Sequence, residues 1–174
     1  MKRVVLIVNP FASRVTAERI SAVERALMRV GYVRTVRTER PRHAVELARD
    51  AGEADALIVF SGDGGFNEAL NGVERDDLPL GFVPGGGTSV LPRALGLPRD
   101  PVEAAEQLAD ALAQDRLRHI STGRVNGRRF AFSTGIGIDA EAVRRIDERG
   151  ARKSRPSSNT ASGAAWIASA RRKL

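Results

Sequence analysis

The sequence predicts an α/β fold, a parallel sheet with helices on its faces, followed by the opening of a smaller β-rich unit. Three observations predict it. Apolar strand-like runs and amphipathic helical stretches alternate from residue 3 to residue 113, the pattern of repeated strand–helix units joined by right-handed crossovers. The run Ala56-Leu57-Ile58-Val59-Phe60 has no polar alternation, as expected of a strand covered on both faces. Ser61-Gly62-Asp63-Gly64-Gly65 follows it directly and leads into a helical pattern. Glycine-freed backbone N–H groups and a helix dipole then meet at one point, which suits an anion.

The elements follow in order. Arg3–Val8 reads as the first strand, and Ala17–Val30 as a helix with Ile20, Val23, Leu27 and Val30 on one face. Tyr32–Arg37 is the second strand and His43–Ala51 the second helix; Ala56–Phe60 is the third strand and Phe66–Asn71 the helix after it. Leu80–Val83 is a short fourth strand, followed by Gly85-Gly86-Gly87 and a helix over Ser89–Leu95. Pro101 suits the first turn of a further helix reaching Ala113.

Beyond residue 115 the pattern changes. Leu117–Val125 and Arg128–Thr134 flank Asn126-Gly127, a strong short hairpin signal. Gly135 to Asp139 leads into a helix from Ala140 to Glu148; Gly150–Ser162 is basic and polar, and Ala164–Arg172 is amphipathic with Trp166 and Ile167. The expected division is residues 1–115 as the α/β domain and 116–174 as the truncated start of a β-rich second domain with a helical tail.

Composition narrows the chemistry. The chain of 174 residues holds no cysteine and only His43 and His119, which excludes disulfides and thiolate metal sites and disfavours a histidine-built one. The N-terminal apolar run is too short for a signal peptide, and no segment has the ~20 apolar residues that span a bilayer. The expected location is cytoplasmic, peripheral to the inner face of the membrane. The net charge of +7 is uneven, with 14 Lys and Arg against 4 Asp and Glu beyond residue 115. That asymmetry suits an anionic membrane surface, although an arginine-rich source genome is the plainer account. Trp166-Ile167 beside Arg171-Arg172-Lys173 fits the same surface, or packing on its own domain.

Four loops carry the candidate chemistry, and a doubly wound sheet brings them to one edge. Asn9-Pro10-Phe11-Ala12-Ser13-Arg14 follows the first strand, Thr38 the second, Ser61–Gly65 the third and Pro84-Gly85-Gly86-Gly87-Thr88-Ser89 the fourth. No Walker-type Gly-Lys-Ser/Thr loop occurs, and no lysine lies between Lys2 and Lys153. Phosphates would be held by backbone N–H groups, by the hydroxyls of Ser61, Thr88 and Ser89, and by Arg14. Asp63 beside phosphates would serve a metal, a ribose or a proton, or else cap the helix starting near Gly65 or Phe66.

These motifs resemble the diacylglycerol kinase catalytic-domain family, which includes bacterial lipid kinases and sphingosine kinases and is related to NAD kinases. An Asn-Pro motif is matched by Asn9-Pro10, and Gly-Gly-Asp-Gly-Thr-x-Asn-Glu by Ser61 through Glu68. Pro-x-Gly-Thr-x-Asn-Asp-Phe-Ala-Arg is matched by Pro84 through Arg93, Gly-x-Gly-x-Asp-Ala by Gly135 to Ala140, and Thr38 precedes His43-Ala44. The resemblance implies an NAD kinase/diacylglycerol kinase type nucleotide-binding domain and a β-sandwich lid, with ATP between them. It implies an ATP- and Mg2+-dependent transfer of phosphoryl to a lipid hydroxyl such as diacylglycerol or a sphingoid base. Asp63 inherits the catalytic expectation. The nucleotide contacts are expected from Asn9, Arg14, Thr38, Ser61, Gly62, Asp63, Gly64, Gly65, Phe66, Asn67, Glu68, Gly86, Gly87, Thr88 and Ser89, with no metal site of the protein's own. The expected partners are ATP, a lipid acceptor, an anionic membrane touched peripherally and a second copy of the chain, with no nucleic acid. A non-catalytic nucleotide-binding fragment, and a kinase for a soluble acceptor such as NAD, are the alternatives.

The chain departs from the family's motifs at informative places. Ser61 stands for a glycine and Gly65 for the motif threonine; Gly87 falls at the second loop's threonine position and Val90 at its aspartate, with Thr88 displaced by one. The family's second domain continues well past the length present here, and no residue of this chain inherits its acidic base.

Overall fold

The computed structural model describes residues 1–131. The expected Gly135–Ala140 motif, the helix over Ala140–Glu148 and everything to Leu174 lie outside the described residues. Strands β1 (Lys2–Val8), β2 (Gly31–Arg37), β3 (Ala56–Ser61) and β4 (Leu80–Pro84) form a four-stranded sheet in the order β2-β1-β3-β4. Every pairing in it is parallel, with Val5 opposite Leu57 and Val59 opposite Phe82. Helices α1 (Ala17–Met28), α2 (His43–Arg49), α3 (Asp63–Gly72), α4 (Val90–Ala94) and α5 (Pro101–Ala113) complete the layers.

The apolar run of β3 is buried on both faces because each face has its own helical cover. Ile58 and Phe60 join Val4, Leu6 and Val8 beneath Ile20, Val23 and Leu27 of α1 and Ala105, Ala109 and Leu112 of α5. Leu57 and Val59 join Val5 and Ile7 on the other side, beneath Ala44 and Ala48 of α2 and Phe66 and Ala69 of α3. Each fully buried Val, Leu or Ile contributes about 1.5–3 kcal/mol, so these two stripes hold the sheet and thereby the loops at its carboxyl edge.

Local chemistry sets the helix starts. The Thr16 side chain accepts from the Arg19 N–H at the head of α1. The Asp100 carboxylate accepts from Val102 and Glu103 N–H groups at 2.8 and 3.2 Å, with Pro101 in the first turn of α5 as its sequence position suggested. One boundary moves with consequence: α3 starts at Asp63 rather than Phe66, with Gly62 in the N-cap position. Three residues of the glycine turn are therefore helical.

The hairpin forms at the Asn126-Gly127 turn, where both residues have positive φ (47° and 78°), the conformation of a tight primed turn. Its first strand is shorter than expected, β5 being Gly123–Val125; β6 is Arg128–Phe130, and the expected continuation over residues 132–134 lies outside the described residues. The expected strand from Leu117 fails because Leu117 and Ile120 are exposed and no neighbouring strand among the described residues offers them a face. Asn71 on α3 docks the hairpin, its Nδ2 donating to the Arg129 carbonyl at 2.9 Å and its Oδ1 accepting from the Arg129 N–H at 2.8 Å.

Candidate functional site

The strand order reverses direction between β1 and β3, where a crevice opens at the carboxyl ends. Backbone hydrogen bonds stitch the four loops across this edge. Thr38 N–H donates to the Val8 carbonyl (2.9 Å) and Asn9 N–H to Phe60 (3.0 Å); Gly85 N–H donates to Ser61 (2.8 Å) and Arg14 N–H to Gly85 (2.9 Å). The convergence expected from the alternating pattern is thus fixed by main-chain hydrogen bonds, each loop being held to its neighbour.

The five buried polar side chains among the described residues are Asn9, Thr38, Ser61, Glu68 and Ser89. Burying such groups costs free energy unless they are satisfied, and all five sit on this one rim or on the helix rising from it. Asn9, Thr38, Ser61, Gly65 and Glu68 line a narrow cleft together with Arg40. Asn9 also accepts from the Phe11 N–H through its Oδ1 at 3.0 Å, which shapes the first loop. Ser61 Oγ and Asn67 Oδ1 are the buried side-chain atoms among the described residues that have no hydrogen-bond partner.

A second, more open cleft of about 290 Å3 lies beside the first, lined by Arg14, Pro84, Gly87, Thr88, Ser89, Pro92, Arg93, Pro98 and Arg99. Three arginines and Thr88 are among its lining residues and no carboxylate is, so its donors suit phosphate oxygens. Ser89 holds the loop's shape, its Oγ donating to the Gly86 carbonyl at 3.1 Å from a left-handed backbone (φ 46°). Gly86 must lack a side chain, since a β-carbon there would come within 2.9 Å of the Gly62 Cα. The two glycine loops touch backbone to backbone.

Asp63 makes a structural contact other than a cap on its own helix. It is the first residue of α3, and its carboxylate reaches the next loop, accepting from Val90 and Leu91 N–H groups at 3.1 and 3.2 Å. It therefore caps α4, not its own helix. The first-turn N–H groups of Asp63, Gly64 and Gly65 have no intrahelical carbonyl to bond and point out of the α3 N-terminus at the crevice.

Phe66 separates from the other expected site residues. The ring of Phe66 is buried against Phe82, stacked at 4.7 Å between centroids, and serves the core. Glu68 and Asn67 lie one turn along α3, and Arg128 of the hairpin stands near Glu68. Burial, then Arg42, lower the Arg128 pKa while Glu68 opposes them. His43 Nδ1 accepts from the Glu39 N–H at 3.1 Å, a structural role at the head of α2.

Sequence reasoning passed over Arg40, Arg93 and Arg99. Arg93 ended the quoted second motif, which was a usable signal. Arg99 has none in the sequence, because only the return of the chain after α4 brings it to Arg14. Arg40 is itself held by Glu46, donating to both carboxylate oxygens at 2.8 and 2.5 Å.

Among known families, the one described as the diacylglycerol kinase catalytic domain matches residues 3–125. A diacylglycerol kinase of Bacillus subtilis (strain 168) is 35% identical over 149 residues, 79% of this chain and 46% of that protein. A diacylglycerol kinase of Staphylococcus haemolyticus is 33% identical over 131 residues, 72% of this chain and 38% of that protein. The crystal structure of a diacylglycerol kinase from Bacillus anthracis str. Sterne superimposes with a TM-score of 0.66 at 27% identity, over 74% of this chain and 49% of that one. The chain spans about half the length of the curated relatives it matches. With its parallel sheet, its joined glycine loops and this match across the whole α/β unit, the chain belongs to the diacylglycerol kinase catalytic-domain family.

Proposed function

We propose that this chain carries the ATP-holding half of a lipid kinase, which transfers the γ-phosphoryl of ATP to a lipid hydroxyl such as that of diacylglycerol or a sphingoid base. One observation carries the reading: the bare N–H groups at the α3 N-terminus and the arginine-lined cleft of Arg14, Arg93 and Arg99 adjoin on one sheet edge. Phosphoryl transfer needs positioning and charge neutralisation more than covalent chemistry by the protein, and these groups supply both. In this reading Gly62, Gly64, Gly65, Gly86 and Gly87 admit the phosphate chain to the backbone, Arg14 with Thr88 grips its far end, Ser89 shapes the loop that carries Thr88, and Asn9, Thr38 and Asn67 border the nucleotide.

Among the described residues no cluster of three His, Cys, Asp or Glu side chains could cage a metal. The donors present instead fit Mg2+ that arrives on the nucleotide, keeping phosphate and water ligands. Such an ion neutralises charge on the transferring group. Asp63 holds the two glycine loops in register through Val90 and Leu91 and adds negative charge at the mouth of the crevice.

The division at residue 115 belongs to the same proposal: residues 1–115 hold the nucleotide, and 116–174 begin the domain that presents the acceptor. Among the described residues no helix is long and apolar enough to cross a membrane; in this reading the chain meets lipid peripherally, through the cationic stretch beyond residue 115. A second reading, nucleotide binding without turnover, is favoured by the two departures in the signature stretch, Ser61 where the resembled motif has glycine and Gly65 where it has threonine.

The test is a melt of the full chain with and without Mg·ATP, followed by labelled ATP offered with mixed-micelle diacylglycerol, sphingosine or NAD. A rise in Tm with labelled lipid is expected. No shift at millimolar ATP overturns the nucleotide site, whereas a shift without any product selects the second reading.

A further inference from the structure

Ser61 is the last residue of β3 and is 1% exposed, yet its hydroxyl oxygen is buried without a hydrogen-bond partner. A buried hydroxyl left in this state costs stability, and a partner from outside the chain, ordered water or a ligand, would relieve that cost at the edge where the glycine loops meet. Ser61 is one of the residues that line the narrow cleft with Asn9, Thr38, Gly65 and Glu68, and it stands two residues before Asp63, the first residue of α3.

The neighbouring Gly65 explains why the hydroxyl stands on residue 61. A β-carbon on Gly65 would come within 2.2 Å of Ser61 Oγ and 2.9 Å of Ser61 Cβ. Rotating the serine relieves the first contact but leaves the second, since χ1 rotation does not move Cβ. With glycine at 61 both contacts vanish, and the next neighbour, Asn9 Nδ2, lies at an ordinary 3.9 Å. Residues 61 and 65 therefore share one side-chain volume, which either can fill but not both. The exchange in the signature stretch has this form: serine where the family motif has glycine, and glycine where it has threonine.

Resting on the nucleotide reading above, we propose that Ser61 is a ligand-positioning residue: its hydroxyl replaces the motif threonine's and hydrogen-bonds the bound nucleotide, and positions 61 and 65 form a reciprocal pair that carries one hydroxyl between them.

The test is a four-variant set in the full chain: Ser61→Ala, Ser61→Gly, Gly65→Thr and the double Ser61→Gly/Gly65→Thr. Tm is read without ligand, and affinity is read by titration with Mg·ATP. Without ligand, Ser61→Ala should hold or raise Tm, because the hydroxyl has no protein partner to lose. Gly65→Thr alone should lower Tm by about 4 °C or more, and the double variant should recover most of that loss. Affinity for Mg·ATP should fall about tenfold or more in Ser61→Ala and Ser61→Gly, the loss of one hydrogen bond to a charged group, and return in the double variant.

A Ser61→Ala chain that melts well below wild type would make the hydroxyl structural and overturn the proposal. Unchanged affinity in Ser61→Ala would do the same, as would a Gly65→Thr chain as stable alone as in the double variant. A wild-type chain that ignores Mg·ATP fails the nucleotide reading and the hydroxyl's ligand together. The coupling of the two substitutions in ligand-free Tm still decides the shared volume separately.

Discussion

The carboxylate of Asp63, at the head of α3, accepts the backbone N–H of Leu91, in the first turn of α4, at 3.2 Å. With the companion bond from Val90 at 3.1 Å, one side chain ties the loop after β3 to the loop after β4. A residue expected from its motif to be catalytic thus holds the second glycine loop in position. Asp63→Ala should cost about 1 kcal/mol of stability, as for a lost helix cap, and should shrink the Mg·ATP-induced rise in Tm. Asp63→Asn keeps one acceptor oxygen and should lose less stability. Urea denaturation of both variants, with and without Mg·ATP, checks the pair; equal stability in all three chains would show that the clasp carries no energy.

Arg99 reaches the cleft of Arg14 and Arg93 only through the fold. If the three guanidiniums hold phosphate, Arg99→Ala should weaken Mg·ATP binding several-fold while leaving Tm without ligand within about 0.5 kcal/mol of stability, as for a surface substitution. The loss should narrow at high salt, where exposed charges are screened. Titration of nucleotide at two ionic strengths measures it.

Gly72 closes α3 against α2. A β-carbon there would stand 2.1 Å from the Val45 carbonyl oxygen and 2.9 Å from Ala48 Cβ. The first obstacle is backbone, which cannot rotate away. Gly72→Ala should therefore destabilise by about 1–3 kcal/mol or more, despite alanine's better helix propensity, as read from the denaturation midpoint.

Asp55 accepts the Arg3 backbone N–H at 2.6 Å. That bond, and then the Arg3 charge, hold its carboxyl below the ordinary aspartate value of 3.8. A group depressed on folding adds stability above its unfolded pKa and loses it as pH falls through the folded value. Asp55→Asn should thus lower stability at neutral pH and flatten the acid limb below about pH 4, compared by urea unfolding at pH 7 and pH 3.

Much of the fold was legible because burial leaves a direct mark on sequence. The unbroken apolar run of β3 announced a strand covered on both faces, and the positive-φ pair Asn126-Gly127 announced its turn. Leu117–Ile120 misled for the converse reason, since an apolar residue predicts a strand only where a neighbouring strand exists to cover it. The early start of α3 was hidden because glycines read as a loop, although the orphan N–H groups of a helix N-terminus favour the same residues. Phe66 lay within the signature stretch and was grouped with the site, but helical geometry turns its ring to Phe82.

Sequence alone determined the alternation of strands and helices, the four loops and the family, because periodicity and motif spacing are properties of the chain read in order. It also showed both departures, Ser61 and Gly65, as separate oddities. Only the tertiary structure made them one feature, since the close approach of the strand end to the first turn of α3 gives them a single volume to share. The same holds for Asp63 and Leu91, which hydrogen-bond, and for Arg14 and Arg99, which line one cleft: parallel strands deliver every loop to one edge, and what adjoins across that edge is set by packing, which no local pattern encodes.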